Sequence, residues 1–181
     1  MLQCCKLSAG KVPVSVCDTE VSYVENFEGE AGGFRYTYTG EMLGGKRHGK
    51  GKTVFSDGET YEGEYRNGNL HGYAECFYAT GNVYKGEFVD GKCHGKGRFI
   101  FADGDIYEGA YRDDKRNGKG TYVYANGNKY EGDFLDGMFS GYGVFTYANG
   151  EKYVGEFRDN KFHGNGRYIY ADGSRYEGVY E

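Results

Sequence analysis

One phrase of 23 residues, Tyr153 to Arg175, is written over and over along this chain. Its opening tyrosine recurs at Tyr38, Tyr61, Tyr84, Tyr107, Tyr130, Tyr153 and Tyr176, with no insertion or deletion between copies. That makes six full units and the start of a seventh. A fixed period of this length builds a quasi-one-dimensional array, in which each unit buries surface against its neighbours only. One elongated body is therefore expected, although 181 residues would otherwise suggest a compact domain.

Let the opening Tyr be position 0 of each repeat. Position 2 is Gly in all seven copies, and position 4 is aromatic in all but the first, which has Met42. A polar stretch follows. Position 11 is then always Gly, position 13 is Gly except at Ala74, position 15 is mostly aromatic, position 17 is Phe or Tyr, and position 20 is Gly. Alternation of period two on both sides of a Gly-containing turn predicts two short antiparallel strands per repeat, and no window carries a helical stripe. Pro13 lies outside the array, so every ladder donor within it is available. The array then holds thirteen strands, about 58 Å at a spacing of about 4.8 Å.

Charge fixes the register. A three-residue loop at Ser56, Asp57 and Gly58 sets Lys52 against Glu62, and the equivalent loops set Glu75 against Lys85, Arg98 against Glu108 and Arg167 against Glu177. The same rule sets Val144 against Val154. Such a loop wants Gly in the left-handed region, at Gly58, Gly81, Gly104, Gly127, Gly150 and Gly173. A two-residue turn would misalign every pair. This register sends positions 0, 2, 4, 11, 13, 15 and 17 to a face of rings and glycines, where the rings cover the glycine backbone. Positions 1, 3, 12, 14 and 16 make a charged face with one aliphatic column. A single-layer sheet hides such an aromatic face only by curling or by taking a partner.

Composition narrows the function. Gly (33) and Tyr (20) are over-used, and few aliphatic side chains remain for a thick core. A net charge of -5 gives no basic footprint for nucleic acid. The cysteines at 4, 5, 17, 76 and 93 form no CxxC pair and indicate neither a disulfide framework nor zinc. Val12 to Val16 is too short for a signal peptide core or a membrane span, so the expected compartment is the reducing cytosol.

No catalytic set, cofactor or metal is expected. His48, His71, His94 and His163 all stand at position 10, and repeats two strands apart are about 9.6 Å from each other. A shared zinc ion needs ligands at about 2.0 to 2.1 Å, so these histidines read as loop residues bonding their own turns. Gly49-Lys50-Gly51-Lys52 lacks the spacing of a phosphate loop. The acidic column Glu41, Glu64, Glu87, Asp133 and Glu156 reads as a solvated strand face.

Three features stand outside the repeat logic. Position 9, at the end of the polar stretch taken as a loop, is variable, and Phe139 and Phe162 with Met138 nearby either form a contact point or pack on each other. Lys46, Lys50, Lys92, Lys96, Lys115, Arg116 and Lys119 gather toward one edge, where they could meet acidic lipid headgroups or simply be solvated. Residues 1–37 read as a tail and cap before the array at 38–181, with Cys4 and Cys5 open to S-acylation and Leu2 excluding N-myristoylation.

The pattern YxGxF or YxGxY, then HGxG, then an aromatic pair and a final Gly, resembles the MORN repeat (membrane occupation and recognition nexus) over residues 38 to 181. Departures are the lack of Trp at position 4, of His in repeats four and five, and Ala74 and Cys76 in repeat two. The resemblance implies an all-β, elongated, single-layer twisted antiparallel sheet, a solenoid of successive hairpins with a groove. It implies a groove used to hold protein partners, as extended or helical segments, and sometimes to dimerise. The expected function is a non-catalytic cytoplasmic scaffold in a cytoskeletal or ciliary assembly, with a peripheral tether to acidic membrane lipid as the alternative. The groove is expected to be anchored by Tyr61, Phe88, Phe101, Tyr107, Tyr111, Tyr124, Tyr130, Phe134, Tyr147, Tyr153, Phe157 and Tyr170. The strand opening at Tyr176 lacks a return partner, and a homodimer or a partner strand is expected there.

Overall fold

The computed structural model describes residues 20–181. Cys4, Cys5, Cys17 and Pro13 lie outside the described residues. The fourteen strands are β1 (Ser22–Ala31), β2 (Phe34–Leu43), β3 (Lys46–Phe55), β4 (Thr60–Arg66), β5 (Asn69–Phe77), β6 (Val83–Val89) and β7 (Lys92–Ile100), then β8 (Ile106–Arg112), β9 (Lys115–Val123), β10 (Lys129–Leu135), β11 (Met138–Thr146), β12 (Lys152–Arg158), β13 (Lys161–Ile169) and β14 (Arg175–Tyr180). They pair antiparallel in sequence order in one open sheet, with β1 and β14 as its edges. The count is one more than the repeats predict, because β1 falls in the segment read as a tail. Phe27-Glu28-Gly29-Glu30 copies the Tyr-Glu-Gly-Glu opening of a repeat, and Gly29 faces the Tyr36 ring as the repeat glycines face theirs.

Two turn types alternate. The three-residue loop has the predicted form: Phe55 N donates to Glu59 O at 2.8 Å, Gly58 N donates to Phe55 O at 3.0 Å, and Gly58 has φ +92°. Its register sets Lys52 Nζ 3.2 Å from Glu62, Lys85 Nζ 2.8 Å from Glu75 and Arg167 Nε 2.7 Å from Glu177, with Val144 opposite Val154. The polar stretch is not a long loop. It is a two-residue turn, Asn67 (φ +52°) and Gly68 (φ +91°) in the second repeat, and the rest of the stretch lies on the two flanking strands. Two left-handed residues give the twist that a tight hairpin needs. Sequence reading missed this because Asp113-Asp114 and Asp159-Asn160 carry out the same turn without glycine.

Each of these hairpins also contains a register shift. Gly132 faces Gly143, yet Asp133 faces Ser140, so β11 carries two extra residues. A bulge takes carbonyls out of the ladder, and the position 0 tyrosine answers it. Tyr130 Oη donates to Asp133 O at 2.9 Å and Ser140 O at 3.4 Å, and Tyr153 Oη to Glu156 O at 2.9 Å and His163 O at 3.2 Å. This explains Tyr rather than Phe at the position. The acidic column is likewise structural, since Glu41, Glu87 and Glu156 accept from the backbone N of Lys50, Lys96 and Asn165 at 3.2, 2.9 and 3.0 Å. Tyr153→Phe would leave partly buried carbonyls without this donor and should cost about 1 kcal/mol in chemical denaturation; an unchanged midpoint would rule out the role given to the hydroxyl.

The sheet hides its rings by packing them along its own length. Tyr84 lies edge-on to Phe88 of its own repeat (5.1 Å) and to Tyr111 of the next (5.3 Å), and Tyr107 does the same with Tyr111 (5.2 Å) and Phe134 (4.9 Å). Each such pair contributes about 0.5 to 1.5 kcal/mol beyond its buried area. The glycines make the room, because a Cβ on Gly120 would sit 2.6 Å from Cε2 and Oη of Tyr107.

Repeat two proves the rule by its exception. Ala74 puts a methyl where the other repeats have glycine under the ring, and there the Tyr61 hydroxyl donates to the Glu59 carboxylate.

Candidate partner-binding cleft

The aromatic face has two levels. In the six full repeats positions 0 and 4 form a closed floor, with Tyr107, Tyr130 and Tyr153 at 0% exposure and Tyr111, Phe134 and Phe157 at 5% or less. Positions 15 and 17 lie at the surface. In the first three repeats Phe55, Cys76 and Phe99 are still buried and Tyr78 is half-buried, and from Phe101 onward none of these rings is buried. Phe101, Tyr122, Tyr124, Phe145, Tyr147 and Tyr168 are half-buried, and Tyr170 is exposed. They form an unbroken belt, with centroids 5.9 Å apart for Phe101–Tyr122, 4.6 Å for Tyr122–Tyr124, 6.0 Å for Tyr124–Phe145, 4.8 Å for Phe145–Tyr147 and 6.0 Å for Tyr147–Tyr168.

Within the belt, Arg116, Tyr122, Tyr124, Phe145, Tyr147, Asn160 and Phe162 enclose an open cleft of about 480 Å³ over Phe139 and Phe157. The Arg116 guanidinium lies 5.1 Å from the Tyr122 ring centroid and 5.6 Å from that of Tyr107, and donates to Gly137 O at 2.7 Å. Among the described residues no carboxylate pairs with it. Tyr122 Oη donates to Asp105 at 2.6 Å and Tyr168 Oη to Glu151 at 2.7 Å, which locks both rings from the rim. Burial first, and then these acceptors, push both phenols well above their ordinary pKa; burial pushes Tyr107 up to about 12. The belt therefore meets a ligand as neutral phenols and apolar rings around one cation. It offers stacking, hydrogen bonding and a counter-charge, and no activated nucleophile.

A family model for the MORN repeat matches residues 38–60, 61–83, 84–106, 107–129, 130–152 and 153–175. The chain belongs to the MORN-repeat family. Among solved structures, the array is similar in fold to the TCP domain of SAS-4 (dCPAP) from Drosophila melanogaster, in complex with a proline-rich motif of Ana2 (dSTIL). That match has a TM-score of 0.50 at 14% identity and covers 94% of this chain and 97% of that one. The wild-type TCP10 domain of Danio rerio CPAP matches with a TM-score of 0.46 at 11% identity, over 84% of this chain and 76% of that one. Among curated protein sequences, none matches this chain.

The MORN array divides the expected groove residues between its two levels. Tyr61, Phe88, Tyr107, Tyr111, Tyr130, Phe134, Tyr153 and Phe157 are floor, at most 5% exposed, and of these Phe157 lies at the base of the cleft. Phe101, Tyr124, Tyr147 and Tyr170 belong to the accessible belt. Tyr122, Phe145, Tyr168 and Arg116 complete it. Sequence reading passed over the three rings as ordinary members of position 15, whose exposure changes along the array without a change in motif. Phe139 and Phe162 stand on β11 and β13 rather than in loops, stacked 3.8 Å from Tyr130 and from Tyr153. Met138 is exposed beside the turn.

The basic edge separates into three places in the MORN array. Lys46, Lys92 and Lys115 follow the two-residue turns; Lys92 and Lys115 face Asp113 at 3.8 Å and Asp136 at 3.0 Å. Lys50, Lys96 and Lys119 stand at position 12 on the charged face, and Arg116 lies in the aromatic cleft. The histidines lie on strands too, where His71 Nδ1 accepts from Asp90 N at 3.4 Å. No group of three metal-ligating side chains occurs among the described residues.

Proposed function

We propose that this MORN array is a non-catalytic scaffold that grips an extended segment of a partner protein in the aromatic cleft, within a cytoskeletal or ciliary assembly. The observation that carries the reading is the belt of half-exposed rings held over a floor that is already packed. Rings ordered before binding lose little further freedom, so their burial goes into affinity. The depth of the cleft suits a segment without bulk of its own, such as a proline-rich stretch in polyproline II form, which docks on aromatic ridges elsewhere. The SAS-4 TCP domain, similar in fold, is in complex with a proline-rich motif, which makes such a peptide the first to test. The peripheral membrane reading has less behind it, since the seven cations expected to serve it face three ways.

The test is a pull-down from cell extract beside fluorescence anisotropy with proline-rich peptides, using Tyr124→Ser with Tyr147→Ser. Both rings stand above the floor, so the fold should hold while affinity falls 10-fold or more, as for central aromatic anchors. Full retention of every partner by a folded double variant would reject the cleft as the site.

A further inference from the structure

We propose that the middle of the opposite, charged face is a second docking site, for an acidic extended segment of a partner protein. Positions 2 and 13 point to the ring face, so on the charged face a trough runs between the column of positions 1 and 14 and the column of positions 3 and 12. Over Gly86, Gly97, Gly109, Gly120 and Gly132 it encloses about 770 Å³ and is lined by Lys85, Lys96, Arg98 and Lys119 against one carboxylate, Glu108. Over the first two repeats the same trough encloses about 540 Å³ and carries Glu41, Glu62 and Glu64 against Lys50 and Lys52. The two stretches share their glycine-floored build and differ in sign.

One residue makes much of the difference. The register sets position 12 of each repeat against position 3 of the next, which gives Lys50 opposite Glu64 and Lys96 opposite Ala110. Ala110 stands where five other repeats have Glu or Asp. Among the described residues no carboxylate pairs with the exposed Lys96 ammonium. Lys85 holds Glu75 at 2.8 Å in a partly buried pair, whereas Arg98 and Lys119 hold Glu108 and Asp133, at 3.4 and 2.8 Å, as solvent-exposed pairs. Exposed pairs are weak and exchange readily for a ligand's carboxylates. Lys96 and Lys119 lie two strands apart, about 9.6 Å, which an extended chain covers in about three residues. The occupant that fits is an extended stretch with Asp or Glu at every third position, its backbone lying over the glycine floor.

The experiment is fluorescence anisotropy of the full chain with a labelled twelve-residue peptide carrying Glu at every third position among Gly and Ser. Its Gln counterpart and phosphoinositide vesicles serve as parallel probes. The Glu peptide should bind, the Gln peptide should not, and binding should weaken at least 10-fold between low and high salt. Ala110→Glu restores the acid that most other repeats carry, so the fold should be kept while affinity drops at least 10-fold, and Lys96→Gln should act in the same direction. The pair Tyr124→Ser and Tyr147→Ser should leave this binding unchanged, which separates it from the aromatic cleft. Equal binding of both peptides, full binding by a folded Ala110→Glu chain, or vesicle binding lost in Ala110→Glu without any peptide binding would each overturn the proposal.

Discussion

Tyr107→Ala is expected to lower the stability of the array by about 4 kcal/mol, in the range for emptying a buried aromatic site. The ring is fully buried, is flanked edge-on by Tyr111 and Phe134, and covers Gly109 and Gly120. Its hydroxyl also donates to Ala110 O at 2.9 Å. Removing it opens a cavity, exposes two glycines and leaves a carbonyl without a donor. Since each repeat is stabilised through its neighbours, the loss should spread to the repeats opening at Tyr84 and Tyr130. Hydrogen exchange would show it as shared loss of protection in β6 to β11. A change confined to β8 and β9, or a shift under 1 kcal/mol, would mean that the repeats are far less coupled than their ring contacts indicate. A partner lost on Tyr107→Ala would report this unfolding, so floor residues are poor choices for mapping the cleft.

Gly120→Ala is expected to be nearly as damaging, about 3 kcal/mol, at the upper end for overpacking. The added methyl would meet two ring atoms and the hydroxyl oxygen of Tyr107 at 2.6 to 2.8 Å, with Tyr111 and Phe134 closing the ways of escape. No backbone strain is involved, so the effect isolates the contact between ring and glycine. The chain supplies its own control. Ala74 occupies the equivalent place in repeat two, where Tyr61 has turned its hydroxyl to Glu59. Ala74→Gly should therefore shift the thermal midpoint far less than Gly120→Ala does. Equal effects at the two positions would undo the steric account of the glycine column.

The fold was legible because period, alternation and charge all pointed to one register, and no other register satisfies Lys52 with Glu62 and Arg167 with Glu177 together. What escaped reading was local chemistry that varies under a constant geometry. The two-residue turn is made by Asn67-Gly68 in one repeat and by Asp159-Asn160 in another, so no single motif announces it. The strand Ser22–Ala31 carries a repeat opening with Phe27 for Tyr, and its turn comes one residue early, between Ala31 and Phe34. The cleft was half legible. Alternation assigns Tyr107 and Tyr124 to one face, but which of the two is floor and which is surface depends on neighbours 23 residues away in both directions. Arg116 was grouped with the lysines by charge, whereas rings 5.1 to 5.6 Å from its guanidinium hold it on the aromatic side.

The strictly sequential strand order has a mechanical consequence. The two ends of the described chain lie at opposite edges of the sheet, so a pull between them acts across the ladders and opens one hairpin's bonds at a time. Such an array yields by peeling instead of resisting in shear. Each repeat released adds 23 residues of free chain, about 70 Å of slack. Held between two moving attachments, the protein would lengthen in steps from an edge inward, and the closely packed rings around Tyr84, Tyr107 and Tyr130 would be the last to let go.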